Sequence, residues 1–247
     1  MKIKVKYTHN NSVARIILDD GKGNVLDNIM MNELIQVLNS FNDKNDIKLI
    51  TFEGAGKHFS FGANVEEHKK ENAALMLKTF HSIFYSILNL SIPTLAKISG
   101  QCLGGGMELA LVCNFMFADK SAVFGQPEIM LGVFPPPASV MLPLKIGNTA
   151  AENILITGNT FTAKKGKEIG LINEVFENKE TMEALIAAAN EHEIKTVIHI
   201  GSWQDAEEAV LAGATALTHT MGRDIPDQLI KLLKTKRCFY DPHTYCA

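Results

Sequence analysis

Two periods of apolar residues run through the first half of the chain. Residues 1–7 (Met-Lys-Ile-Lys-Val-Lys-Tyr) alternate charged and apolar positions as a half-exposed strand does, and residues 13–18 (Val-Ala-Arg-Ile-Ile-Leu) form a second strand-like run. The run Asp19-Asp-Gly-Lys-Gly-Asn24 then reads as a turn. From residue 27 to 41 the spacing lengthens: Ile29, Met30, Leu34, Val37, Leu38 and Phe41 recur every three to four residues, which predicts an amphipathic helix. Residues 47–53 predict a buried strand ending in Gly54-Ala-Gly56, and His58-Phe-Ser-Phe61 a short one ending at Gly62. A second round follows, with a helix over 73–90 closed by Ile92-Pro93 and a strand over 94–98.

Beyond Gly104-Gly105-Gly106 the periodicity vanishes, because residues 107–118 are apolar on every side; they are expected to form one buried helix. Residues 119–124 read as a turn and strand, Gln126-Pro-Glu128 as a turn, and Pro135-Pro-Pro137 as a rigid loop. From about residue 181 the texture becomes regular β/α alternation: strands over 196–200 and 215–219, helices over 203–212 and 226–234. The expectation is an α/β fold with a boundary in the charged stretch 176–180, giving a core of residues 1–180 and a β/α tail of residues 181–247.

Composition narrows the partners. At 247 residues and 46% hydrophobic, the chain can bury a full core without staples. Its net charge of −3 and the absence of a dense Lys/Arg run argue against nucleic acid, leaving a small molecule or another protein. No run of 18 apolar residues offers a membrane span, and the N-terminus lacks an apolar signal core, so a cytoplasmic location is expected. Cys102, Cys113, Cys238 and Cys246 show neither CxxC spacing nor a disulfide framework and are read as core or bystander thiols.

Candidate chemistry lies in four places. Three glycines ahead of a helix let backbone N–H groups approach a ligand oxygen, aided by the partial positive charge of the helix N-terminus; a ligand-free tight turn has about even odds or better. Glu108, in the first turn of that helix, would by itself serve as a dipole partner, and Glu128, after a proline, as an ordinary turn carboxylate. Ala63 could present its N–H to a cleft or be merely a small loop residue. Each signal is weak alone.

Together they are not. Phe59-Ser-Phe-Gly-Ala-Asn64, Gly100-Gln-Cys-Leu-Gly-Gly-Gly-Met-Glu-Leu-Ala110 and Phe124-Gly-Gln-Pro-Glu-Ile-Met-Leu-Gly132 occur in an order and spacing that resembles the crotonase superfamily over about residues 3–178, and Asn24-Val-Leu26 and Gly54-Ala-Gly56 extend the match. The resemblance implies a spiral of ββα units, an acyl-CoA thioester as substrate with coenzyme A part of that substrate, no separate cofactor or metal, and a homotrimer or hexamer. It implies an oxyanion hole at the N–H groups of Ala63 and Gly105, catalytic glutamates at Glu108 and Glu128, and substrate contacts at Phe61, Gly62, Gly104, Pro136 and Ser139. Both catalytic positions being Glu fits a hydratase, and one of the pair should titrate above the roughly 4.3 of free Glu.

Within the superfamily, His58-Phe-Ser-Phe-Gly-Ala-Asn-Val-Glu-Glu-His68 and Leu131-Gly-Val-Phe-Pro-Pro-Pro-Ala-Ser-Val-Met-Leu-Pro143 are similar to the cyclohexa-1,5-diene-1-carbonyl-CoA hydratases of anaerobic aromatic degradation. Pro136 stands where ordinary enoyl-CoA hydratases carry a glycine whose N–H helps hold the water; proline has no N–H to give. Ser139 is the candidate replacement. The general enoyl-CoA hydratase or isomerase is the alternative.

The tail resembles something else. Residues 195–205 and 209–219 look like two β/α units of a metal-dependent amidohydrolase barrel, with His199 and His219 at strand ends. No metal site is expected, because two histidines rarely suffice for catalytic zinc. A hydrolase fragment or an inactive acyl-CoA-binding fusion is the alternative from another class.

Overall fold

The computed structural model describes residues 1–41, 44, 46–69, 71 and 73–179, and in the tail residues 197–199, 216–218, 227–236 and 239–241. The chain divides into two compact units, Met1–Ala187 and Ala188–Ala247.

The first unit is a coil of repeated strand, short strand and helix. Strands β1 (Ile3–Thr8), β2 (Val13–Leu18), β3 (Leu49–Gly54), β4 (Thr94–Ile98), β6 (Phe115–Asp119) and β9 (Glu174–Phe176) lie side by side in that order in one sheet. The β1–β2 pair is antiparallel and every later pair is parallel. A parallel neighbour requires a crossover, and each crossover here has two parts. After β2 the chain makes a single bridge at Leu26 and enters α1 (Asn28–Asn39); after β3 it bridges at Ser60 and Ala63 and enters α2 (Ala73–Leu88). After β4 comes β5 (Gln101–Leu103) and α3 (Gly105–Val112), and after β6 come β7 (Val123–Gly125), α4 (Pro136–Ile146) and α5 (Asn148–Thr157). β5 pairs with β7, which pairs antiparallel with β8 (Phe161–Thr162), ahead of α6 (Ala163–Glu168). Successive bridges and short strands therefore stack into a second edge, and the helices begin from it.

The helices form where the period said they would. Asp27 caps α1 by accepting from the Met30 N–H at 2.9 Å, and Met30, Met31, Leu34 and Leu38 are buried along one stripe. On α2 the buried stripe is Met76, Phe80, Ile83, Phe84 and Ile87. All eight residues of α3 are buried. α3 is thus enclosed by the helices and sheets around it, and whatever polar group it carries is removed from water.

Four expectations are corrected. The buried helix ends at Val112 instead of continuing to 118: Cys113 is extended, and Asn114 accepts from the Thr94 N–H (2.8 Å) and the Thr94 hydroxyl (3.0 Å), so the chain leaves the helix to pair with β4 as β6. The prolines at 135–137 are the cap and first turn of α4, where proline's missing N–H costs nothing. The short strand over 58–61 is reduced to one bridge, Ser60 to Cys102, and Glu128 lies in a short 3-10 helix, Pro127–Leu131, where a turn is expected.

Cys102 and Cys113 are buried thiols, as expected. In the second unit, β10 (Val197–His199), β11 (Ala216–Thr218) and β12 (Phe239–Asp241) form a parallel sheet, accompanied by α7 (Asp227–Lys236). His199 ends β10; the expected helix over 203–212, His219, Cys238 and Cys246 lie outside the described residues.

Candidate active site

The N-terminus of α3 is where the coil's turns meet. Leu26 donates to Gly62 O at 2.9 Å and accepts from the Asn64 N–H at 3.2 Å, so in the intervening Ala63 the N–H faces the opposite way. That way is toward α3: a Cβ placed on Gly105 would stand 3.1 Å from Ala63 N and 3.1 Å from the Phe80 ring. Gly105 is the first residue of α3, so its own N–H has no acceptor within the helix. Ala63 N and Gly105, from different turns of the coil, therefore lie side by side at the positive end of a buried helix. They can hold a single oxygen that carries negative charge.

Gly104, the cap of α3, has φ +50°, and a Cβ there would fall 2.6 Å from Glu128 Oε1. The Glu128 carboxylate thus lies against the backbone next to Gly105. Gln126 is fully buried beside it; with its amide nitrogen turned toward Glu128 it donates to Oε1 at 3.2 Å and Oε2 at 3.0 Å. Gly104→Ala is expected to lower activity at least tenfold or so by displacing Glu128 and straining the left-handed backbone. Steady-state kinetics beside a melting curve would check it, and unchanged kcat with a normal melt would count against the Glu128 position described here.

Glu108 projects from the first turn of α3 and is 3% exposed. Its Oε1 accepts from the Ala138 N–H at 2.9 Å. Ala138 is the third residue of α4, and the two positions before it are Pro136 and Pro137, which have no N–H; the prolines leave one donor in that turn, and it points at Glu108. Burial pushes the Glu108 carboxyl up to about 8, against the pull of the Ala138 N–H and with help from the charge of Glu128. Burial also raises Glu128. Both carboxyls are thus pushed toward their protonated forms, and Glu108 is the more deeply buried of the two.

The structure brings Ala63, Gly62, Gly104, Gly105, Glu108 and Glu128 together, with Pro136 joined to them through Ala138. Phe61 is 45% exposed, and its ring packs over Gly23 and edge-on to His58 at 5.0 Å. The Ser139 hydroxyl donates to Pro135 O at 2.8 Å, inside the first turn of its own helix. Sequence reasoning passed over Gln126 and Ala138. Gln126 stood within a quoted motif and had a signal in its spacing two residues before Glu128; Ala138 acts through its backbone and had none. Among the described residues, no group of three or more His, Cys, Asp or Glu is arranged to hold a metal ion, and no helix is long and apolar enough to cross a membrane.

Comparison with known proteins finds relatives over most of the chain. A family model described as Enoyl-CoA hydratase/isomerase matches residues 8–235. The cyclohexa-1,5-dienecarbonyl-CoA hydratase of Thauera aromatica is 39% identical over 178 residues, covering 72% of this chain and 69% of that one. A probable enoyl-CoA hydratase of Rhizobium meliloti (strain 1021) is 33% identical over 168 residues, covering 67% and 65%. The matched stretch therefore spans between 65% and 69% of the length of these curated relatives. The crystal structure of an enoyl-CoA hydratase from Bacillus anthracis has a TM-score of 0.73 at 25% identity, over 96% of this chain and 90% of that chain. The family model runs on to residue 235, across most of the tail, and gives no support to the amidohydrolase resemblance there. With its sheet order, its α3 terminus and a family match over most of its length, the chain belongs to the enoyl-CoA hydratase/isomerase family.

Proposed function

We propose that this protein is a hydratase that adds water to a conjugated enoyl- or dienoyl-CoA, with cyclohexa-1,5-diene-1-carbonyl-CoA as the preferred substrate. The observation that carries the proposal is the placement of Ala63 N against Gly105, the first residue of α3, beside two carboxyls of unequal burial. Addition to a conjugated thioester moves negative charge onto the thioester oxygen, and two fixed donors in a dry site stabilise that charge more than the neutral carbonyl. Water must lose one proton and the alkene must gain one. Glu128, held by Gln126, takes the proton from water, and Glu108 supplies its proton to the alkene carbon. The thioester brings its own coenzyme A, so the reaction needs no further cofactor.

Two features favour the cyclic substrate. The first is the 39% identity to the Thauera aromatica hydratase. The second is the proline turn at the head of α4, which fixes the wall beside Glu108 and removes two N–H donors from it. The exposed run Ile129, Met130, Leu131, Val133 and Phe134, immediately after Glu128, supplies apolar surface suited to a hydrocarbon ring. A cytoplasmic homotrimer or hexamer handling products of aromatic degradation accords with this function.

The test is direct. The purified protein is incubated with cyclohexa-1,5-diene-1-carbonyl-CoA and, separately, with crotonyl-CoA, and loss of the conjugated absorbance is followed. Faster turnover of the cyclic thioester is expected. Equal or faster turnover of crotonyl-CoA would make the protein a general enoyl-CoA hydratase, and inertness toward both would rule out hydration.

A further inference from the structure

We propose that Asn24, some forty residues before Ala63 in the chain, is the positioning residue for the Ala63 donor and hence for the thioester oxygen. An N–H that stabilises a transition state has to be held to about half an ångström, and the segment bearing Ala63 has no helix or wide sheet of its own to hold it. It is held by Leu26, which occupies the backbone groups of Gly62 and Asn64 and so turns the Ala63 N–H toward Gly105. Leu26 can do this only while residues 24–26 stay docked against residues 55–62.

Asn24 makes that dock. It is 1% exposed, and its backbone sits at φ +55°, a left-handed conformation that asparagine tolerates better than most residues. Its side-chain amide donates to Ala55 O at 3.1 Å and His58 O at 2.8 Å, tying both ends of the turn that leads to Ser60. Its carbonyl accepts from the Ser60 hydroxyl at 2.7 Å, and the same hydroxyl oxygen accepts from the Gly62 N–H at 3.1 Å. Its own N–H is taken by Asp20 Oδ1 at 2.8 Å. One buried side chain and its backbone thus tie the turn before Ala63 to the strand edge opposite Ala63, and reach the residue before Ala63 through the Ser60 hydroxyl.

The inference rests on the proposed hydratase function and is tested so that the two can fail separately. Wild type, Asn24→Gly and Asn24→Asp are compared: glycine keeps the left-handed backbone and loses the amide, while aspartate keeps the size and turns two donors into an acceptor facing carbonyls. Hydration kinetics are measured together with the red shift of bound para-dimethylaminocinnamoyl-CoA, a chromophore whose absorbance moves as its thioester carbonyl is polarised. Wild type is expected to show a large shift. The variants, measured below their melting temperatures, are expected to lose most of it and to lose about tenfold to hundredfold in kcat with KM changed by less than about threefold. A folded variant of either kind with the wild-type shift and kcat, even if it melts earlier, would make Asn24 purely structural and overturn the inference. If wild type itself neither hydrates an enoyl-CoA nor shifts the chromophore, the hydratase function is what fails.

Discussion

Gly105→Pro is expected to lower kcat by about 10²–10³-fold relative to Gly105→Ala, with both proteins folded. Gly105 is the first residue of α3, a position where proline is welcome because its N–H has no partner in the helix. The substitution removes a single main-chain donor and leaves the helix intact. Alanine is the control for the β-carbon, which at 105 meets Ala63 N and the Phe80 ring at 3.1 Å in either variant; proline in addition replaces the N–H hydrogen with a ring carbon, so the donor is both lost and its place filled. Loss of one donor to a developing oxyanion typically costs about 2.7–4 kcal/mol of barrier. Comparable kcat values in the two variants would show that the Gly105 N–H plays no part in the reaction.

Glu108→Gln is expected to stabilise the protein near neutral pH while lowering kcat by about 10²–10⁴-fold. The sign follows from the raised carboxyl. Below its ordinary value of 4.5 Glu108 is protonated in both folded and unfolded chains, and burial costs no ionisation. Between 4.5 and about 8 the unfolded chain ionises and the folded one holds its proton, so stability falls by roughly 1.4 kcal/mol per pH unit, or on the order of 3 kcal/mol by pH 7. Glutamine is neutral throughout and can still accept from the Ala138 N–H. The variant should therefore melt with wild type near pH 4.5 and on the order of 5–10 °C above it at pH 7. Calorimetry at both pH values, alongside hydration kinetics, measures the two effects together. A melting difference independent of pH would mean that Glu108 is not the strained carboxyl, and wild-type kcat would remove it from the chemistry. In the wild type, activity is expected to fall as pH rises through about 8, because the proton Glu108 has to supply is then lost.

This substitution also marks the division between what was legible in the chain and what was not. The stripes of α1 and α2 followed from periodicity, because each has one face against the core and one away from it, and β2 and β4 followed from short apolar runs bounded by turn residues. The end of α3 did not. Residues 107–118 are almost uniformly apolar, so no period separates the helix from β6, and the break at Cys113 comes from Asn114 bonding back to Thr94 twenty residues earlier. The proline stretch was misjudged for a related reason: proline breaks a helix interior but opens a helix, and only the site of the first turn tells which.

By itself the sequence determined which groups are available: two glutamates, small residues that let backbone donors approach, and the motifs that place the chain in its family. Tertiary structure alone decided that Glu108 meets Ala138, thirty residues away, that Gln126 turns to Glu128, and that Asn24 reaches His58, thirty-four residues on. It also decided how deeply each carboxyl is buried. A residue type fixes what a group can donate or accept, but the energy of its charge depends on how much water and which dipoles surround it, and those are assembled from turns of the coil that lie far apart in the chain.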